Sequence, residues 1–328
     1  MNESPSAVAA SSTSFDSETC PLTIGVDFGG TSVKIGVVRG AEIIGEIARI
    51  PTQRYDGPDD LLDAIVEEVA TMRERHPEIG AIGIGVPGAV DFERGMTYNL
   101  TNVPGWSNVP LRDMISEKTG LPTVLENDAN CAAYAEFKCG AGRGLRNVVV
   151  VTLGTGVGGG LILNGELFRG SQYAAGEIGQ MSIDYNGVDG PYGNWGALER
   201  YVGNQQITQI GVTRFTEAGR EVKDDICSPQ SLAEAAYSGD EIAHQVWHVV
   251  ADYLGTALTS IVYLLNPDAI IIGGGVAHAG DILFDPLKAR IKAMLSDEFF
   301  EALQIIPATF GNTAGIIGSA ALADDLVE

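Results

Sequence analysis

One pattern occurs twice in this chain and constrains its fold more than any other feature. Residues 22–40, LTIGVDFGGTSVKIGVVRG, run apolar strand, Gly/Thr-rich turn, apolar strand. Residues 147–165, NVVVVTLGTGVGGGLILNG, repeat the layout with little identity of sequence. Short apolar runs bounded by glycine are strand-and-turn signals. A pattern that returns once, far along the chain, predicts two halves of similar architecture. The length of 328 residues agrees with two domains, since domains commonly hold about 100–200 residues.

Between the repeats, strands alternate with helices, which indicates an α/β fold. Residues 42–50 read as a third strand. In 58–77, Leu61, Leu62, Ile65, Val66 and Val69 share one helical face, with Pro58 at the start and Pro77 past the end. Residues 81–91 read as a buried strand running into a turn, 121–128 as a strand, and 128–140 as a helix closed by glycine. A long, mostly buried helix follows at 242–267, then a strand running into glycines at 268–276, and a closing helix at 313–326.

Composition narrows the function classes. Hydrophobic residues make up 45% and charged residues 19%, a globular balance. The net charge of −23 repels phosphate backbones and anionic lipid, so nucleic acid and membrane surfaces are not expected partners. An anionic substrate such as ATP would need local cations or Mg²⁺. Cys20, Cys131, Cys139 and Cys227 form no CxxC pair and read as reduced thiols of a cytoplasmic protein. No apolar run is expected to reach the length of a membrane span. Residues 1–20 are small, polar and acidic, unlike a signal peptide, and read as a disordered tail.

Several segments are candidates for chemistry. In Asp27-Phe28-Gly29-Gly30-Thr31 the glycines allow backbone N–H groups to approach an anion closely. Asp27 could hold Mg²⁺ through water and Lys34 could supply a cation, although the segment alone is also an ordinary hairpin turn. Gly154-Thr155-Gly156 in the second hairpin has the same shape, and Gly273-Gly274-Gly275 follows a strand. None is a GxxxxGK[ST] loop. Glu126-Asn127-Asp128 stands where a strand meets a helix. A helix cap is the simpler reading of that motif alone, a carboxylate placed to take a proton from a hydroxyl is the other, and the two are compatible. His244 and His248 share a helix face but have no evident third ligand. Residues 176–199, GEIGQMSIDYNGVDGPYGNWGALE, form a turn-rich loop carrying Glu177, Glu199, Tyr185, Tyr192 and Trp195.

Taken together, VDFGGTSVKIGVV, GIGVPGAVD, LTNVPGW, ENDANCAAYAE, TLGTGVGGGLILNGELFRG, AAGEIGQMSID and GNWGALE resemble the ROK family of sugar kinases. The likeness runs from residue 22 to about 203, and IIIGGG and the last helix extend it to the end. It implies the actin/hexokinase-like fold, with two ribonuclease-H-like α/β domains and a cleft between them. The expected division is 21–140, completed by the helix at 313–328, and 141–312.

The resemblance also assigns residues. Asp128 corresponds to the catalytic base, and Asn127, Glu177 and Glu199 to sugar ligands. Gly88 and Asn102 match residues lining the same pocket. The turns at 29–31 and 154–159 match the two phosphate loops, and 273–275 the adenosine loop. The implied reaction is ATP-dependent phosphorylation of a hexose, most simply of glucose, by a cytoplasmic homodimer. Other hexoses or N-acetylhexosamines are alternatives, as is a non-catalytic sugar sensor. Repressors of the family carry a DNA-binding segment before the first hairpin, where this sequence has about 20 polar residues, few for such a domain.

One departure stands out. The family's zinc ligands, a His and three Cys, fall at Gln180, Gly190, Tyr192 and Ala197. These are poor zinc ligands, so no structural zinc is expected. Gln180 could still hydrogen-bond a sugar, with different geometry. Tyr192 and Trp195 are expected to pack where the metal would tie the loop.

Overall fold

The computed structural model of the protein describes residues 20–100, 103–220 and 227–327. The expected tail, apart from Cys20, and Asn102 lie outside the described residues.

The chain opens with three antiparallel strands, β1 (Leu22–Phe28), β2 (Ser32–Arg39) and β3 (Glu42–Pro51). Helix α1 (Pro58–Arg75) leads to β4 (Ala81–Val86), parallel to β1. As the sequence reading of 81–91 has it, the strand runs into a turn, at Pro87-Gly88, where proline lacks a ladder donor and Gly88 takes a left-handed φ of 84°. Strands β5 (Val90–Asp91), β6 (Met96–Asn99) and β7 (Ser107–Val109) form a small separate sheet. Helix α2 (Leu111–Thr119), β8 (Thr123–Asn127), parallel to β4, and α3 (Asp128–Lys138) complete this part.

The second sheet repeats the plan with β9 (Val148–Leu153), β10 (Val157–Leu163) and β11 (Glu166–Leu167) antiparallel. Helices α4 (Glu199–Val202), α5 (Asn204–Glu217), α6 (Pro229–Tyr237) and α7 (Glu241–Leu265) precede β12 (Ala269–Gly273). Then come α8 (Asp281–Met294), α9 (Asp297–Ala302), β13 (Gln304–Pro307) and α10 (Ala314–Asp324). Strand orders are β3-β2-β1-β4-β8 and β11-β10-β9-β12-β13, the same arrangement strand for strand. The sequence repeat is thus a duplication of the sheet itself.

Side-chain alternation explains how each sheet is covered. Ile24 and Val26 of β1 pack in one cluster with Leu61, Leu62 and Ile65 of α1 and with Ile115 of α2. The intervening Gly25, with Gly83 of β4, faces α10, where added Cβ atoms would stand 2.0 Å from the Ile316 carbonyl oxygen and 1.7 Å from that of Ser319. In the second sheet Val149, Val151, Ile270 and Ile272 pack with Trp247 and Val250 of α7. Val148, Val150 and Ile271 face Cys131 and Ala133 of α3. Helices α3 and α10 touch each other through Gly318, where a Cβ would fall 1.7 Å from the Cys131 carbonyl oxygen. The two sheets therefore meet through a pair of helices.

Helix α7 corrects one expectation. Its 25 residues are apolar enough to cross a membrane by length and composition. Its buried face, including Trp247, Leu254 and Leu258, is part of the second domain's core.

Candidate functional site

The END motif forms its geometry locally. Asn127 ends β8 and caps α3, its side-chain oxygen accepting from the Ala129 and Asn130 N–H groups at 2.9 and 3.1 Å. Its Nδ2 donates to the Gly88 carbonyl at 3.1 Å, which ties the β4 turn to the cap. The cap is therefore Asn127. Asp128 is the first helical residue, with one carboxylate oxygen accepting from the Ala129 N–H at 2.8 Å.

Asp128 lies in a cavity of about 680 Å³ lined from both halves of the molecule. Burial pushes its carboxyl up to about 6, against the lowering effect of the Ala129 N–H, and the nearby Asp27 and Glu177 carboxylates add to the rise. The group sits near neutrality, where a carboxylate is a useful base. Glu177 is also raised, first by burial and then by Glu199.

The same cavity collects most of the residues that the sequence singled out. Asp27 and Lys34, cross-strand partners in β1 and β2, form an ion pair of 2.8 Å. They line the cavity with Gly88, Asn127, Gly154, Thr155, Gly156, Glu177, Gln180, Glu199, Gly273 and Gly274. Gly29, Gly30, Thr31 and Gly275 do not line it. Gly29 closes the β1–β2 turn by donating to the Ser32 carbonyl at 3.0 Å, and Gly275 opens a short 3₁₀ turn beyond β12.

Glu199 at the start of α4 shapes the second glycine turn. It accepts the Val157 N–H at 3.0 Å, and a Cβ on Gly156 would stand 2.3 Å from its carboxylate. A side chain at 156 would therefore displace the Glu199 carboxylate, more than forty residues away, from its place against the turn.

The 176–199 loop is a narrow ribbon. A 3₁₀ turn at Ile178–Gln180 is followed by bridges between Ser182 and Ala197 and between Asp189 and Trp195. Ile183 N–H donates to Gly196 O at 2.9 Å, Gly196 N–H to Val188 O at 2.8 Å, and Asn194 Nδ2 to Gln180 O at 3.0 Å. The expectation that Tyr192 and Trp195 pack inside the loop is wrong, since they are 81% and 55% exposed and Tyr185 is 84% exposed. Hydrogen bonds, with Gly193 and Gly196 at positive φ, hold the ribbon instead and leave the rings outside. Tyr192 still borders the cavity. Among the described residues no three His, Cys, Asp or Glu side chains are grouped to hold a metal ion, those near His244 and His248 included.

Sequence reading missed Thr152, Tyr173 and Asn312, which also line the cavity. Tyr173 has a left-handed φ of 57°, which nothing in its sequence neighbourhood announces.

Comparison with known proteins agrees with this architecture. Residues 23–326 match the model of the ROK family. The chain is 36% identical over 306 residues to a glucokinase of Halalkalibacterium halodurans, covering 90% of this chain and 92% of that protein. The crystal structure of a ROK family glucokinase from Streptomyces griseus in complex with glucose and AMPPNP has a TM-score of 0.76 and 33% identity, over 93% of this chain and 99% of that one. The ROK hexokinase of Thermus thermophilus has a TM-score of 0.79 and 31% identity, again over 93% and 99%. Two mixed sheets, each the centre of a domain, are the actin-like fold of these proteins. By sequence along nearly its whole length and by fold, the chain belongs to the ROK family.

Proposed function

We propose that the protein phosphorylates a hexose with ATP, converting glucose to glucose 6-phosphate. The observation that carries this reading is the Asp128 carboxyl, held at the start of α3 and raised to about 6 inside a cavity that also contains a glycine turn. Asn127, Gln180, Glu177 and Glu199 supply amide and carboxylate groups for sugar hydroxyls, and the Gly88 turn completes that wall. Asn102, implied by resemblance, lies outside the described residues. The ionised Asp128 orients the sugar 6-hydroxyl and takes its proton as that oxygen bonds to the γ-phosphorus. The bond from the γ-phosphorus to the bridging oxygen breaks, and ADP leaves.

The donor set fits a magnesium nucleotide. Asp27, Asp128, Glu177 and Glu199 against Lys34 leave the cavity strongly acidic, so a polyphosphate needs a divalent cation to enter. Asp27, with hard oxygen donors, is the residue to hold Mg²⁺, and that ion would neutralise charge on the phosphates. Gly154, Gly156, Gly273 and Gly274 offer close backbone approach to the nucleotide. The 176–199 ribbon is assigned no zinc, because Gln180, Gly190, Tyr192 and Ala197 provide no thiolate or imidazole; stoichiometric zinc in the purified protein would count against this.

The test is ADP release from Mg·ATP with a panel of hexoses, N-acetylhexosamines and no sugar, with Asp128→Asn alongside. Sugar-dependent turnover that collapses in the variant is expected. Sugar binding without turnover would overturn the kinase reading in favour of a sensor.

A further inference from the structure

An ion pair between a buried carboxylate and a half-buried arginine spans the two domains beside the cavity. Glu126, in β8, is 2% exposed. Its Oε1 accepts from the Asn127 N–H and from Asn130 Nδ2, each at 2.9 Å. Its Oε2 accepts from Arg169 Nε at 2.6 Å. Arg169 belongs to the other domain, two residues past β11, and its guanidinium lies 3.9 Å from the centre of the Phe92 ring. The planar cation is thus held by a carboxylate at its edge and an aromatic face, an arrangement that lysine does not reproduce.

Each end of the pair leads to a cavity wall. On the Glu126 side the next two residues are Asn127 and Asp128, and the carboxylate fixes the backbone of the first. On the Arg169 side the backbone carbonyl accepts the Ala175 N–H at 3.0 Å and closes a loop over 169–175. That loop holds Gly170 and Tyr173 in left-handed conformations and delivers Gly176 and Glu177 to the cavity. A tyrosine at positive φ is costly and persists only where its surroundings impose it. Phe92, stacked on Arg169, is also 6.4 Å from the Tyr173 ring, centre to centre.

We propose that Glu126 and Arg169, with Phe92, are the positioning residues that set the gap between the Asn127–Asp128 wall and the Glu177 wall, and so govern how tightly the sugar is gripped. This rests on the kinase reading, in which those walls hold the sugar. Neither residue touches the reacting atoms. The pair acts on the sugar side of the cavity and leaves the glycine turn at 154–156 alone.

Arg169→Ala, Arg169→Lys and the double variant Glu126→Gln/Arg169→Ala separate positioning from stability. Arg169→Ala strands a buried carboxylate and lowers Tm. The double variant removes that charge while glutamine keeps an acceptor for the Asn127 N–H, so Tm recovers. Kinetics use the hexose that the wild type turns over fastest, and the same sugar is titrated by calorimetry. In both Ala variants sugar KM is expected to rise at least about tenfold while ATP KM stays within about twofold, with Arg169→Lys between them and the wild type. A double variant that recovers sugar KM together with Tm would show the pair to be structural only. So would an Arg169→Ala variant whose sugar KM matches the wild type. If the wild type binds a hexose without turning it over, the kinase reading fails alone, and weakened calorimetric binding in the double variant still supports the positioning role, whereas unchanged binding overturns it. Absence of both turnover and binding for every hexose would overturn both.

Discussion

Asp128 illustrates how one residue is set by opposing local forces. Burial and neighbouring carboxylates favour its protonated form, and the Ala129 N–H favours the ionised one. If it is the base, kcat/KM for the sugar falls as pH drops through about 6, and the acid limb vanishes in Asp128→Asn. That variant is expected to lower kcat by roughly 10²–10⁴. Its effect on stability has the opposite sign. The folded protein holds the Asp128 proton up to about pH 6, whereas an ordinary aspartate releases it near 3.8, so stability falls as pH rises through that window. At pH 7.5 the ionised group costs up to ~3 kcal/mol, and Asp128→Asn should be the more stable protein. Thermal melts at pH 4 and 7.5 check this: the gain in Tm should shrink towards the lower pH.

At the scale of elements, α3 and α10 join the two domains because glycine lets backbones touch. Helix α10 is buried nearly all round and carries no polar face, which is why its periodicity says little about its neighbours. Gly83 in β4 is the tightest point of its contact with the first sheet. Gly83→Ala would put a methyl into the Ser319 backbone and force the helix away. A loss of about 1–3 kcal/mol or more is expected, read as a lower midpoint in urea. Other boundaries in this part were legible: Asn127 is a helix cap as well as a cavity residue, and Pro87-Gly88 ends β4 where a proline would. The extent of β11, only two residues long, was not, because its sequence lacks any alternation to mark it.

At the scale of the molecule, the crossings between domains converge on Glu136, 1% exposed, near the end of α3. Its carboxylate accepts from Ala141 at 3.0 Å in one crossing, and from Thr309 at 2.8 Å and Phe310 at 3.0 Å in the other. Three backbone donors satisfy a charge that burial would otherwise make expensive. The net charge of −23 acts over the whole surface. Raising ionic strength from about 0.01 to about 0.1 M shortens the screening length from about 30 to about 10 Å and relieves self-repulsion. Tm measured by calorimetry should rise across that range, and an unchanged or falling Tm would show that local ion pairs outweigh the global field.

The amino-acid sequence by itself determined the two hairpins, the alternation of strands and helices, the END cap and the glycine turns. Each of these is local: a few neighbouring residues dictate a turn, a cap or a strand. It also placed Asp128, Asn127, Glu177 and Glu199 among the residues of interest, though from three separate segments. Only the tertiary structure decided that they share one cavity, that Glu199 packs against Gly156, and that the rings of Tyr192 and Trp195 lie outside the ribbon. Only it brought Glu126 to Arg169 across 43 residues of sequence. Those facts depend on how two sheets dock through α3 and α10, and docking is set by close approach and burial between residues far apart in the chain, which no local pattern records.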